Sequence, residues 1–236
     1  MTRTLFYWRT ALKRLALILA SLTATPALAD FPVPDGCSAY MTVQQRSCLV
    51  THYYTCEGEP EGHQWRADVG VDGPFFLSQI DREAQWILSL DLGAGTRETL
   101  VPDPADPASF TELSTTGLDT FDFTIVADNG DETRVVGFDR LTGSEVIVDG
   151  VTLQEVENQV ALTDAKTGDL KWSAVGQEYI SLKHRLFMSG IGTYTTPDGD
   201  ETSSDDRPIE FAFPGDAGFL ADKPIYDCNV QDAAFR

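Results

Sequence analysis

From residue 48 onward the chain alternates apolar and polar positions in short runs broken by turn residues, the period-two signature of strands with one buried face. The cleanest run is residues 120–127, where Phe121, Phe123, Ile125 and Ala127 share one face and Thr120, Asp122 and Thr124 the other. Further strands are predicted over residues 48–56, 64–71, 74–80, 85–92, 97–101, 132–139, 145–148, 151–163, 170–180, 182–195 and 209–213. Asp72-Gly73, Asn129-Gly130, Thr142-Gly143, Asp149-Gly150 and Thr167-Gly168 separate neighbours as tight turns, which makes sequential strands antiparallel. One short helix is predicted near residues 107–116, with Asp106 and Pro107 as start signals, Phe110 and Leu113 on one side and Gly117 as the stop. Residues 39–45 carry a fainter helical signal. The pattern therefore predicts an all-β domain, an antiparallel up-and-down meander curled into a barrel or half-barrel, with a β-sandwich as the alternative.

The first 29 residues do not belong to that pattern. Arg3, Arg9, Lys13 and Arg14 precede an apolar run at residues 15–22 and the small-residue exit Ala27-Leu28-Ala29, the layout of a cleaved export signal. The run is shorter than the roughly 20 residues of a membrane-spanning helix. Residues 30–236 are thus read as one periplasmic domain. Loss of the leader takes Lys+Arg from 17 to 13 against 37 Asp+Glu, a net charge of −24. That balance excludes nucleic acid as a partner and disfavours anionic lipid headgroups.

In an oxidising space, Cys37, Cys48, Cys56 and Cys228 read as two disulfides. A continuous strand from Cys48 to Cys56 would separate its ends by about 26 Å at roughly 3.3 Å per residue, too far for a bridge. Cys228 should then join Cys48 or Cys56, leaving Cys37 for the other; Cys37–Cys48 with Cys56–Cys228 is the preferred pairing. No C-x-x-C or zinc spacing is present.

Chemistry-bearing residues are few. His52, His63 and His184 have no metal-binding spacing, although His52 and His63 could meet across a hairpin. No Gly-x-Ser-x-Gly elbow exists, so a hydrolase would need a site assembled only in space. Glu155 and Glu157 alternate on a strand and read as a solvated face. The acidic segment 198–206 begins like a calcium loop, but Ser203 and Ile209 stand where glycine and glutamate are required. No cofactor and no metal is predicted. Gly137, Gly176, Gly190 and Gly192 interrupt strands and point to sharp curvature. The concave side they imply would be lined by Phe121, Phe123, Trp172, Leu186 and Met188, the candidate ligand-binding residues.

The stretch Gly137-Phe-Asp-Arg-Leu-Thr-Gly143, with Asp149-Gly150 and Glu178-Tyr179-Ile180, resembles a group of exported Gram-negative proteins of similar length. That group carries no assigned activity, so the resemblance implies an exported β-rich protein and no site residue. The functional expectation is a non-enzymatic binding module for a small apolar or acyl ligand or a protein partner. A hydrolase and a structural envelope protein are the alternatives.

Overall fold

The computed structural model describes residues 30–228. The leader read at residues 1–29 lies outside the described residues. Thirteen strands form one antiparallel sheet: β1 (Cys37–Gln45), β2 (Leu49–Cys56), β3 (Gln64–Gly70), β4 (Gly73–Ile80), β5 (Trp86–Asp91), β6 (Thr96–Leu100), β7 (Leu118–Ala127), β8 (Glu132–Val148), β9 (Val151–Asp164), β10 (Leu170–Ser181), β11 (Leu186–Thr195), β12 (Glu201–Asp205) and β13 (Pro208–Ala212). The single helix, α1 (Phe110–Thr116), lies between β6 and β7.

β1 to β12 follow one another in sequence order, and β13 returns to pair with β1. This is the expected meander, not a sandwich. The sheet is not closed into a barrel: its edge strands β12 and β13 are consecutive in the chain, separated only by Asp206 and Arg207. The chain changes partners there. Asp206 N–H donates to the Gly190 carbonyl and Arg46 N–H donates to the Arg207 carbonyl, so one bent segment touches both rims.

Three local expectations are corrected. Residues 39–45 are all but the first two residues of strand β1, where Met41 and Val43 are fully buried. Thr142-Gly143 is no turn; the chain runs through it as a bulge between Leu141 and Glu145, and β8 continues to Val148. The acidic segment is partly strand: Glu201–Asp205 pairs with β11, and Asp205 holds Arg207 (Nη2 to Oδ2 2.7 Å).

The preferred cysteine pairing is also overturned. The bridges are Cys37–Cys56 and Cys48–Cys228. Reading residues 39–45 as helical hid the β1–β2 hairpin, whose register sets Cys37 directly opposite Cys56 with Cα atoms 3.9 Å apart. Cys48 then falls at the tip of that hairpin, where its N–H donates to the Tyr226 carbonyl and its sulfur meets the tail. Two disulfides fit an oxidising compartment. Among the described residues no helix is long and apolar enough to cross a membrane.

The curved sheet buries apolar side chains on both sides of its first strands. On the outside, Val50, Tyr54, Ala67 and Val69 are covered by Phe31 and Leu220 from the two ends of the described chain. The tail is pinned through side chains of β1: Leu220 N–H donates to Thr42 and Ile225 N–H to Gln44. On the inside, Met41, Val43, Tyr53, Leu186, Met188 and Phe211 pack with Leu153 from the far end of the β8–β9 hairpin. That hairpin tip is fastened by Phe211 N–H donating to the Asp149 carboxylate (2.9 Å).

Helix α1 forms where the sequence places its signals, although the cap is Ser109 rather than Asp106. Ser109 accepts from Glu112 N–H, and Gly117 ends the helix in the left-handed region at φ 85°. Phe110 and Leu113 pack on Ala84, Val156 and Ile180. Glu83 ties the helix down, accepting from Thr111 N–H (2.8 Å) and from Arg185 (3.0 Å).

Candidate functional site

Between these packed regions the half-barrel encloses a cavity of about 440 Å³, within the size range of small-molecule sites. Its walls come from β2 to β5 on one side and β7 to β12 on the other, with Ala84 and Ala108 beside the helix. Phe121, Phe123, Trp172 and Leu186 line it as the strand pattern predicts. Met188 does not; it is buried in the core beside Met41 and Leu153. Sequence reasoning missed Trp86, Tyr194 and Phe76 on the same walls. Trp86 and Trp172 thus face one space, whereas Trp65 stacks on Tyr54 at the outer face of the sheet. Aromatic pairs brace it: Trp86 meets Phe123 edge-on (5.6 Å between centroids) and Trp172 lies 5.9 Å from Tyr194.

Curvature on the β8–β11 side depends on glycine. A Cβ at Gly190 would run into the Gln177 carbonyl, and one at Gly176 into the Ile191 carbonyl. Between these strands Gln177 pairs with Ile191 and Tyr179 with Met188, so Glu178 stands alone opposite Ser189 and Gly190. Such a bulge re-aims a side chain, and Glu178 is a wall of the cavity.

Glu178 is one of several polar groups in a largely apolar lining. Asp139 on β8 and Asn158 on β9 are register partners, and both line the cavity. Neither the Asp139 nor the Glu178 carboxyl makes a hydrogen bond or ion pair with any described residue. Asn158 Oδ1 is sealed from solvent and also has no hydrogen-bond partner. Burial pushes the Glu178 carboxyl up to about 7 against the opposing pull of Arg66. Burial, then Glu178 and Asp119, push Asp139 up to about 8. Both side chains are half-buried by area because their open face is the cavity wall. Raised carboxyls in a concave site make it a candidate for function.

Arg66 is the one cation on this wall, and it is already engaged. Its Nε and Nη2 both donate to Asp68, the former at 3.1 Å, while Thr51 donates to the other Asp68 oxygen at 2.7 Å. Burial opposes the Arg66 charge, but Asp68 and Tyr53 outweigh it and hold the guanidinium protonated. Asp68 is only 3% exposed, so it depends on that partner. Arg66→Met should lower stability by about 3 kcal/mol, the low end for breaking a buried pair because Thr51 still serves Asp68. Urea unfolding near neutral pH checks this, and Arg66→Met/Asp68→Asn should recover most of the loss.

The histidines lie elsewhere. His52 is fully buried on the outer side, stacked on Phe31 (4.3 Å) with Nδ1 3.0 Å from Thr42 Oγ1, and burial lowers it to about 4. His63 sits in the turn before β3, near Gln79. His184 stacks on Tyr40 and Phe213, and burial, then Lys183, lower its pKa. None of the three lines the cavity. Glu157 is exposed and pairs with Arg140, and Glu155 lies across from Tyr179. Among the described residues no group of three or more His, Cys, Asp or Glu side chains is placed to hold a metal ion.

No protein-family model matches the chain, and no curated protein or solved structure matches it.

Proposed function

We propose that the protein is a periplasmic, non-enzymatic binding module that holds a small, largely apolar or acyl ligand inside its half-barrel. The observation that carries this reading is the interior cavity walled by Trp86, Trp172, Phe121 and Phe123, a concave, largely apolar space with polar groups grouped on part of its wall. The ring surface that these aromatic pairs leave open to the cavity forgoes contact energy that an apolar guest would supply. The hydrolase alternative has less support, because a triad at this site would need a histidine and none lines it.

The placement of the tryptophans gives the test. Titration with N-phenylnaphthylamine, an uncharged apolar fluorophore, should quench tryptophan emission and enhance the probe's own, with saturation at one site. Phe123→Ala together with Trp172→Ala should weaken binding about tenfold or more, the equivalent of roughly one large apolar contact. A non-saturating titration, or one unchanged in that double variant, contradicts the reading.

A further inference from the structure

The cavity's polar wall has a one-sided chemistry. Asp139, Asn158 and Glu178 come from three successive strands, β8, β9 and β10, and all face the same space. Asp139 and Glu178 present carboxyls that no described donor meets, and Asn158 Oδ1, sealed from solvent beside them, has no donor either. Among the described residues the one cation on this wall, Arg66, holds Asp68 through Nε and Nη2 and reaches neither carboxyl as an ion pair. Buried acceptors without donors are rare in folded proteins, because each forgoes a hydrogen bond that water would have given. Aromatic faces around such a set add an electrostatic preference of the same sign, since their π-clouds attract cations.

From this wall we infer that the ligand carries a protonated nitrogen, so that the bound molecule is an amphipathic amine whose ammonium sits between Asp139 and Glu178 and whose apolar part lies against Trp86 and Trp172. The inference rests on the binding reading above and narrows it. An ammonium brings up to three donors to the carboxyl oxygens and one positive charge to two carboxyls. A fatty-acid carboxylate would instead add a third anion to the wall, with Arg66 already engaged. An alcohol could satisfy one acceptor and leave the others.

Binding should also depend on pH. The charged and titratable groups facing this point are Tyr53 on β2, Arg66 and Asp68 on β3, Asp119 on β7, Asp139 on β8, Glu178 on β10, Tyr194 on β11 and Asp206 after β12. Of these, Asp139 and Glu178 change charge between about 7 and 8. A simple alkylamine keeps its proton throughout, as lysine does with a pKa of about 10.4. Affinity for the amine should therefore rise with pH by about tenfold or more between roughly pH 6 and pH 9 as the carboxyls ionise.

Calorimetric titration of the purified protein with dodecylamine, dodecanol and dodecanoate, all below their aggregation limits, tests both the class and the site. Dodecylamine should bind about tenfold or more tighter than dodecanol near pH 9 and lose that advantage near pH 6. In Asp139→Asn/Glu178→Gln the preference should vanish at both pH values while dodecanol binding persists. Equal binding of amine and alcohol, tighter binding of dodecanoate, or an amine preference that survives the double variant overturns the inference and leaves the binding reading intact. Failure of all three probes to bind removes that reading and the inference together.

Discussion

Replacing Cys48 and Cys228 by alanine is expected to cost about 5 kcal/mol of stability, the largest loss of any change considered for this fold. The bridge spans 180 residues of sequence, and on the chain-entropy model a loop of that length restricts the unfolded chain by about that amount. The hairpin bridge Cys37–Cys56 spans only 19 residues, so its removal should cost about 3 kcal/mol on the same model. The order of the two effects follows from the two loop lengths alone. Denaturant midpoints of the two double-alanine variants, measured with an unchanged transition slope, give it directly. A smaller loss for the long-range bridge than for the hairpin bridge would show that native-state contacts of the tail, rather than chain restriction, carry its effect. Those contacts exist: Gln44 both donates to and accepts from the segment Lys223–Ile225.

The second large effect has the opposite sign. Asp139→Asn/Glu178→Gln should stabilise the protein near pH 8 by about 3 kcal/mol and change little near pH 4. Both carboxyls are raised in the folded state, Asp139 to about 8 and Glu178 to about 7. Between about pH 4 and these values the unfolded chain has released protons that the folded chain still holds, so the native protein loses stability as pH rises through that window. Removing the ionisable groups removes the loss. The figure is set well below the full linkage value because both side chains are only half-buried. Thermal or urea unfolding of wild type and variant across this pH range checks it. Parallel curves would mean that the two carboxyls are hydrated as freely in the folded state as in the unfolded one. A wall that destabilises its own fold at neutral pH is the expected signature of a binding surface.

Strand alternation and turn residues made most of this architecture legible. The run Phe121, Phe123, Ile125 reads directly as the inner face of β7, and Asn129-Gly130 reads as the hairpin that follows. Local signals failed where long-range pairing decided the outcome. Residues 39–45 lack clean alternation because β1 is buried on both faces, inside by Met41 and outside by the tail, so a two-sided strand passed for a weak helix. That one misreading propagated to the disulfides, since Cys37 finds Cys56 only when β1 is a strand. Thr142-Gly143 shows the same limit from the other direction: a good turn dipeptide became a bulge because the β8–β9 hairpin has to reach β13.

The cavity was half legible. Phe121, Phe123, Trp172 and Leu186 stand on faces that the alternation identifies, whereas Met188 shares such a face and is consumed by packing. Periodicity separates inside from outside but does not separate a filled interior from an open one. The polar wall did leave a trace that went unread. Glu178 keeps step with Trp172, Ala174 and Ile180, an acid on an apolar face, and Asp139 keeps step with Val135 and Gly137. An acid in step with apolar residues along a strand is the signal that marks both.

The bent segment that touches both rims has a consequence for the order of assembly. It follows twelve strands, and Cys228, which clasps the first hairpin, is synthesised 180 residues after Cys48. The early strands therefore lack both locks while the chain between them is made, and pairing across such a separation makes folding slow. The sheet stays loose until its own far rim exists to meet it.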